Sequence, residues 1–476
     1  MIRPVRHPHP AARARGFTRP LLATALTLLG AACSDSSAPV APAGHLSLGK
    51  GSGGGGPSVS AASPAYSRRD TTLNVRILGS GFTAGATAEW SRGGVANPAK
   101  IKTNSVQYVS SSELIANVTV SADADLAFWD ITVTLIGGKK GVGTEKFEVT
   151  TATILGAGTI GGDMRVEATN DIVSVVGYAG AGDAFVYDSH SAKLVALGPG
   201  QAWGINPSGT MALGRDGNFM PVAWERVLGG SWTRQPLPGG GNDGIANRTA
   251  VGADGSLLAS GWLTIQVSKR ESNNRPVLWR YSNGSWDAPV YYTVPGKAAA
   301  AYDVATGGQM VGRSTFADGS VTGVVWDNPT EPATVLDGIA YAISDNGTVV
   351  VGERAGLPVY WYRNASSGEW TTEGTPLPIV GSSCNPQRAR DVTNAGVIVG
   401  ASCGPNGKRQ ATVWKLDLSG ATPTVAAGPI RLGGLGVTGS GAETSYAAGV
   451  TSAPPYVVVG GAVANGGTVL VSWQIP

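Results

Sequence analysis

The sequence predicts an all-β protein, and three observations carry that expectation. Glycine fills 70 of 476 positions, and charged residues make up only 14%. Abundant Val, Thr, Trp and Gly with few long charged side chains suits short strands joined by tight turns. Beyond the first thirty residues, no long stretch shows the 3.6-residue periodicity of a helix. Finally, a glycine-ended pattern recurs seven times down the last two-thirds of the chain. It is clearest at Ala342-Ile343-Ser344-Asp345-Asn346-Gly347-Thr348-Val349-Val350-Val351-Gly352, followed by Val359-Tyr360-Trp361. Two folded parts are expected: a small β-sandwich at 57–150, and a seven-bladed β-propeller at 151–476 whose last blade is closed by an N-terminal strand.

Residues 1–32 are expected to be a targeting segment. Arg3, Arg6, Arg13, Arg15 and Arg19 form a basic start, and Leu21 to Ala32 is an apolar run of about a dozen residues, too short to span a membrane. It ends Leu28-Leu29-Gly30-Ala31-Ala32-Cys33. Small residues just before a cysteine resemble a bacterial lipobox, although Gly30 stands where that motif usually has Leu. The resemblance implies cleavage before Cys33, lipidation of Cys33 and a lipid anchor in the membrane. Ser34 at the following position implies the outer membrane, facing the periplasm or exposed at the surface. Removing this segment takes away five arginines and no acid, so a formal charge of +3 becomes −2. The mature chain thus has no electrostatic footprint for nucleic acid.

Residues 33–56 are rich in Ser, Ala, Pro and Gly and end in a glycine run. They cannot bury enough apolar surface to offset their ordering entropy, and they read as a flexible tether.

Period-two alternation marks strands at Leu73–Ile77, Glu113–Val120 and Trp129–Leu135, and Phe147–Val149 follows the Gly137-Gly138 turn. Ser63-Pro64, Leu78-Gly79-Ser80-Gly81-Phe82, Ala84-Gly85-Ala86, Trp90, Ser111-Ser112-Glu113-Leu114-Ile115-Ala116 and Gly137-Gly138 together resemble an IPT/TIG immunoglobulin-like domain.

In the rest of the chain, the glycine ending the second strand falls at 177, 214, 261, 312, 352, 400 and 460. The spacings of 37 to 60 residues scatter around the length of a propeller blade. Six of these glycines are followed by an apolar strand ending in Trp, namely Trp224, Trp279, Trp326, Trp361, Trp414 and Trp473. A fourth strand closes each unit, as at Leu194–Gly198 and Ile430–Gly433. The last unit stops at Pro476 without its fourth strand, and a spare copy, Thr151–Gly156, precedes the first. A ring accounts for both facts and leaves no exposed edge there. The repeat is similar to the HAF-type extracellular repeat, most fully at Ala202-Trp203-Gly204-Ile205-Asn206-Pro207-Ser208-Gly209. That resemblance implies an exported propeller, not a chemistry.

Cys384 and Cys403 flank a hairpin at Arg388–Ser402 that turns at Thr393-Asn394-Ala395-Gly396, which brings them nearly opposite each other. One disulfide is expected.

Candidate chemistry is sparse. The mature chain keeps two histidines, His45 in the tether and His190 in a loop beside Asp188. A multi-histidine zinc site is thereby excluded, and no metal or cofactor is expected. Asp303 and Asp391 hold one repeat position in two units, and Glu167 is roughly equivalent in the first. These three form a candidate channel site for a ligand or cation. The blander alternative is a turn or capping role. The repeat tryptophans read as core between blades, and Trp203, Trp232, Trp262, Trp286 and Trp370 are the better candidates for a binding face. The leading expectation is a non-catalytic binding or scaffolding platform for an unknown protein or glycan. The alternatives are a glycan-active enzyme using channel carboxylates and a structural cell-surface partner.

Overall fold

The computed structural model describes residues 56–475 apart from 157–163, 181, 227–229, 240–242, 270, 382, 385, 405–406, 437–443 and 465–466. The signal segment, Cys33, His45 and all of the tether but Gly56 lie outside the described residues. Every regular element among the described residues is a β-strand.

Two sheets form the N-terminal part. One orders Ser58–Ser63, Thr71–Ser80, Glu113–Val120 and Ile101–Ser110; the other orders Tyr66–Arg68, Lys140–Thr150, Phe128–Thr134, Thr87–Arg92 and Val95–Ala96. Alternation in Glu113–Val120 turns Leu114, Ala116, Val118 and Val120 inward. They share one core with Trp90, Trp129, Ile131, Val133 and Phe147 of the second sheet.

After residue 150 most sheets order their strands by sequence. Ala298–Val304, Met310–Thr315, Val321–Trp326 and Thr334–Val335 make one four-stranded sheet. Ile339–Ile343 to Thr375–Pro376 make the next, and Arg388–Val392 to Thr424–Arg431 another. Gly244–Val251, Leu257–Ser268 and Glu271–Ser282 continue into two short strands, Ser285–Trp286 and Val290–Tyr291, both paired with Glu271–Ser282.

The first two repeats differ from the expected separate units. One strand, Lys193–Ile205, ends the first repeat with residues 193–199 and begins the second with residues 200–205. The two arrays therefore form one seven-stranded sheet. The changeover lies at Gly198 and Gly200, whose φ values of 93° and 145° few other residues adopt.

The last sheet joins the two ends of this region. Thr153–Ile154 pairs antiparallel with Gly467–Gln474, Thr153 opposite Ser472 and Ile154 opposite Val471. Val457–Ala464 and Ser445–Val450 complete it. First and last repeats also touch. Tyr446 Oη accepts from the Val166 N–H at 2.8 Å, and Asp171 accepts from the backbone and hydroxyl of Ser452 at 2.6 and 2.7 Å. Val166, Val175 and Phe185 share a buried cluster with Ala448, Val459 and Leu470.

The repeat glycines have one physical cause. In each repeat the leading strand carries a β-bulge opposite the glycine-bearing strand, just after the residue that faces the glycine. The bulge presses a carbonyl into the space of the missing side chain. A Cβ on Gly177, Gly214, Gly352 or Gly460 would lie 1.9 Å from the carbonyl oxygen of Arg165, Gln201, Ile339 or Tyr446. On Gly312 or Gly400 the distance is 2.0 Å, and on Gly261 it is 2.1 Å. The facing residue is Val166 in the first repeat and alanine in the other six. Each bulge re-aims one side chain away from the ladder.

The repeat tryptophans are buried, as their spacing suggested. Three donate the indole N–H to a backbone carbonyl, Trp279 to Pro238, Trp326 to Thr293 and Trp414 to Pro378, and Trp361 donates to the Asp337 carboxylate. Cys384 and Cys403 form a disulfide across the Arg388–Cys403 hairpin, with Cα atoms 5.7 Å apart.

Candidate functional site

The bulged residue of every repeat lines a single cavity of about 340 Å³. These are Glu167, Trp203, Asn247 with Arg248, Tyr302, Tyr341, Arg390 and Ala448 in chain order. The framework positions are nearly uniform, but the bulge positions differ from one repeat to the next. Two residues upstream on the same strands, Arg165, Ile245, Ala300 and Arg388 complete much of the wall. Trp262, Asn274 and Arg313 add to it from neighbouring strands.

The wall is cationic and aromatic. Five arginines line it, against one acid, Glu167. Tyr302 and Tyr341 stack with ring centroids 6.2 Å apart and planes 19° apart. Arg313 lies over Tyr302 and Arg388 over Tyr341, at 5.9 and 5.5 Å from the ring centroids. Glu353 fixes one side by accepting from Tyr341 Oη at 2.9 Å and from Arg388 Nε at 2.7 Å. The Arg313 and Arg390 side chains make no hydrogen bond or ion pair to the described residues; Arg390 rests over the Tyr446 ring. Trp203 Nε1 is buried without a partner among the described residues.

Arg248 closes the floor. From the third repeat it donates through Nη2 to the carbonyls of Glu167 and Ala448, at 2.9 and 3.1 Å, in the first and seventh repeats. Its Nη1 is 3.8 Å from Asp391 of the sixth. One guanidinium thus ties the third repeat to three others, and it borders both this cavity and a smaller acidic one of about 120 Å³.

Asp303 and Asp391 belong to that smaller cavity, and Glu167 to the larger. The expected three-acid site is therefore corrected: neighbouring residues on one strand face different cavities. Glu167 occupies its bulge, whereas Asp303 and Asp391 sit one step past theirs. In the third repeat the position of these two acids falls to Arg248, because Asn247 and Arg248 together oppose Ser260.

The two aspartates bridge repeats. Asp303 accepts from its neighbour's N–H, Val304, at 2.9 Å and from Ile343 of the next repeat at 3.0 Å. Asp391 accepts from Val392 and from Val450 of the next repeat, both at 3.0 Å. Burial pushes Asp303 up to about 7; Arg248 opposes this, the Asp391 charge reinforces it, and the two N–H donors oppose it. Burial also raises Asp391 and Glu167; Arg248 opposes the first shift, and Arg390, Arg165 and Arg248 oppose the second.

The other sequence candidates are dispersed. Of the five off-repeat tryptophans, Trp203 and Trp262 reach the cavity. Trp370 is buried against Arg363 and Asp327, Trp286 packs on Tyr281, and Trp232 lies under Arg226. His190 lines neither cavity; its ring is half-exposed, 3.5 Å from Asp188. The cavity arginines escaped sequence reasoning. They hold no common repeat position: Arg165 and Arg388 precede the residue that faces the glycine, Arg390 follows it, Arg248 lies two past it, and Arg313 follows Gly312.

No family model matches the chain, and no curated protein matches it. Solved structures offer remote similarities. One is described as the structure of U3-55K, with 12% identity over 68% of this chain and 98% of that one and a TM-score of 0.43. Another is the Cps50 (Swd1) β-propeller domain of Myceliophteria thermophila, with 10% identity over 67% and 98% of the two chains and a TM-score of 0.40. A third is the β-propeller domain of the Trilobed protease from Pyrococcus furiosus, with 8% identity over 88% and 93% and a TM-score of 0.27.

Proposed function

We propose that this chain is an exported, non-catalytic binding protein, a lipid-anchored platform whose seven repeats are the blades of a propeller around one ligand cavity. One observation carries the proposal: each repeat turns its bulged residue into the same cavity, and those residues are the variable ones. Repeated Gly and Trp make framework, and the departures from the repeat are gathered where a ligand would sit.

Ring closure is supported by the pairing of Thr153–Ile154 with the C-terminal strand and by the contacts of Val166 and Asp171 with the last repeat. The two N-terminal sheets with their common core suit an immunoglobulin-like IPT/TIG spacer, and the repeats suit HAF-type units. Lipidation at Cys33 and an outer-membrane location rest on the lipobox resemblance. The partner is a glycan or protein at the cell envelope.

The non-catalytic reading is supported by the state of the carboxylates. Both oxygens of Asp303 and of Asp391 accept backbone N–H groups, and Glu167 faces a different cavity. A general acid and base pair needs carboxyls free to meet a common substrate.

Two experiments test the proposal. A glycan and envelope-protein binding screen on residues 57–476 should yield a ligand whose binding is lost in Trp203→Ala and Tyr302→Ala; ligands insensitive to both would place binding elsewhere. Cys33→Ser should release the protein from membranes, and unchanged attachment would end the lipid-anchor claim.

A further inference from the structure

We propose that the large cavity takes a ring-shaped ligand bearing a carboxylate, such as a hexuronate residue of an acidic glycan or a small aromatic acid. This rests on the binding reading above and names its ligand class.

Three features point there. First, the charge is one-sided: five arginines face one acid, Glu167, which is paired with Arg165 at 3.2 Å. Second, two of the arginines are available. The side chains of Arg313 and Arg390 have ring contacts but no hydrogen-bond or ion-pair partner among the described residues, although the Arg390 charge acts on Glu167, and Arg313 is exposed. A guanidinium presents parallel donors that match a carboxylate. Third, flat apolar surface lies beside those donors. Tyr302 and Tyr341 stack on each other, and Trp203 and Trp262 share the wall. Such faces receive a sugar ring's C–H surface or an aromatic ring. A bare anion would use the arginines and leave the rings idle; a neutral sugar would use the rings and leave Arg313 and Arg390 unpaired.

The volume also selects. About 340 Å³ is near the lower end of small-molecule sites and suits one or two rings. Arg248 closes the floor, so a longer chain would enter by its end.

Calorimetry on residues 57–476 tests this with four probes: digalacturonate, 4-hydroxybenzoate, neutral galactobiose and inorganic phosphate. At least one of the two ring carboxylates should bind, and about tenfold more tightly than galactobiose and phosphate. The arm that binds identifies the source as sugar acid or aromatic acid. Arg313→Ala and Arg390→Ala should each weaken it by about tenfold. Arg313→Ala should leave thermal unfolding unchanged, because its side chain is exposed. Equal binding of galactobiose, with no effect of the arginine substitutions, would overturn the anionic class and leave the binding reading standing. Equal binding of phosphate would overturn the ring requirement. No binding of any probe up to about 10 mM, with no ligand in the wider screen either, would end both.

Discussion

Asp303 and Asp391 each hold a backbone N–H in the following repeat. Asp303→Ala should therefore destabilise the protein by about 1–3 kcal/mol, the cost of leaving a buried donor unpaired. Chemical denaturation would measure it, and an unchanged midpoint would refute the bridging role. The raised groups also set a pH dependence. Burial lifts Asp303 and Glu148 to about 7, above the ordinary values of 3.8 and 4.5. Such groups favour the folded state in their protonated form. Their contribution is complete below about pH 4 and is lost as pH rises through about 7. Asp123, held down to about 2 by Lys100 and by Ser121, titrates below that window. Denaturation midpoints should fall from pH 5 to pH 8, and Glu148→Gln should flatten the slope.

A bulge and its glycine act as one unit at the level of the strand. The glycine leaves room for a displaced carbonyl, and the displaced strand aims one side chain into the cavity. Gly312→Ala puts a Cβ 2.0 Å from the Ala300 carbonyl oxygen. Either strand must shift, at about 1–3 kcal/mol for an overpacked interior site. The same shift should move Tyr302 and weaken ligand binding, a coupling that calorimetry and thermal unfolding together would expose. The Arg388–Cys403 hairpin is pinned differently. Its disulfide spans 19 residues, and replacing both cysteines with serine should cost about 3 kcal/mol. Unfolding midpoints with and without reductant give the same comparison on the natural sequence.

Two long-range contacts organise the whole molecule. Leu155 donates its N–H to Leu470 at 3.0 Å beside the Thr153–Ile154 pairing. Leu155→Pro deletes that donor and should loosen the last sheet. Hydrogen exchange in Gly467–Gln474 should then rise, whereas unchanged protection would mean that the N-terminal strand contributes little. The second contact fastens the N-terminal sheets to the repeats. Glu148, 2% exposed, accepts from the N–H groups of Gly434 and Gly436, both at 2.8 Å. Gly436 allows the approach, since a Cβ there would lie 2.2 Å from the Ala65 carbonyl oxygen. Glu148 thus holds the two N-terminal sheets against the segment that precedes the last sheet.

Local chemistry wrote the strands, the glycine and tryptophan framework, the spare strand at Thr151–Gly156 and the cysteine pair into the sequence. Each depends on neighbours a few residues away or on a pattern that repeats, and a repeat can be seen without knowing how its copies meet. The all-β character follows from the same local signals. The site was legible only as a rule, that function belongs to residues departing from the repeat. Tertiary structure decided which departures count. Glu167 and Asp303 look equivalent in a linear alignment, yet a one-residue bulge sends them to different cavities. Arg313 and Arg390 are ordinary charges in the sequence and become a cationic wall when distant repeats converge. Side-chain direction at a bulge is set by hydrogen-bond register between strands, and register is a property of the paired strands, not of either one alone.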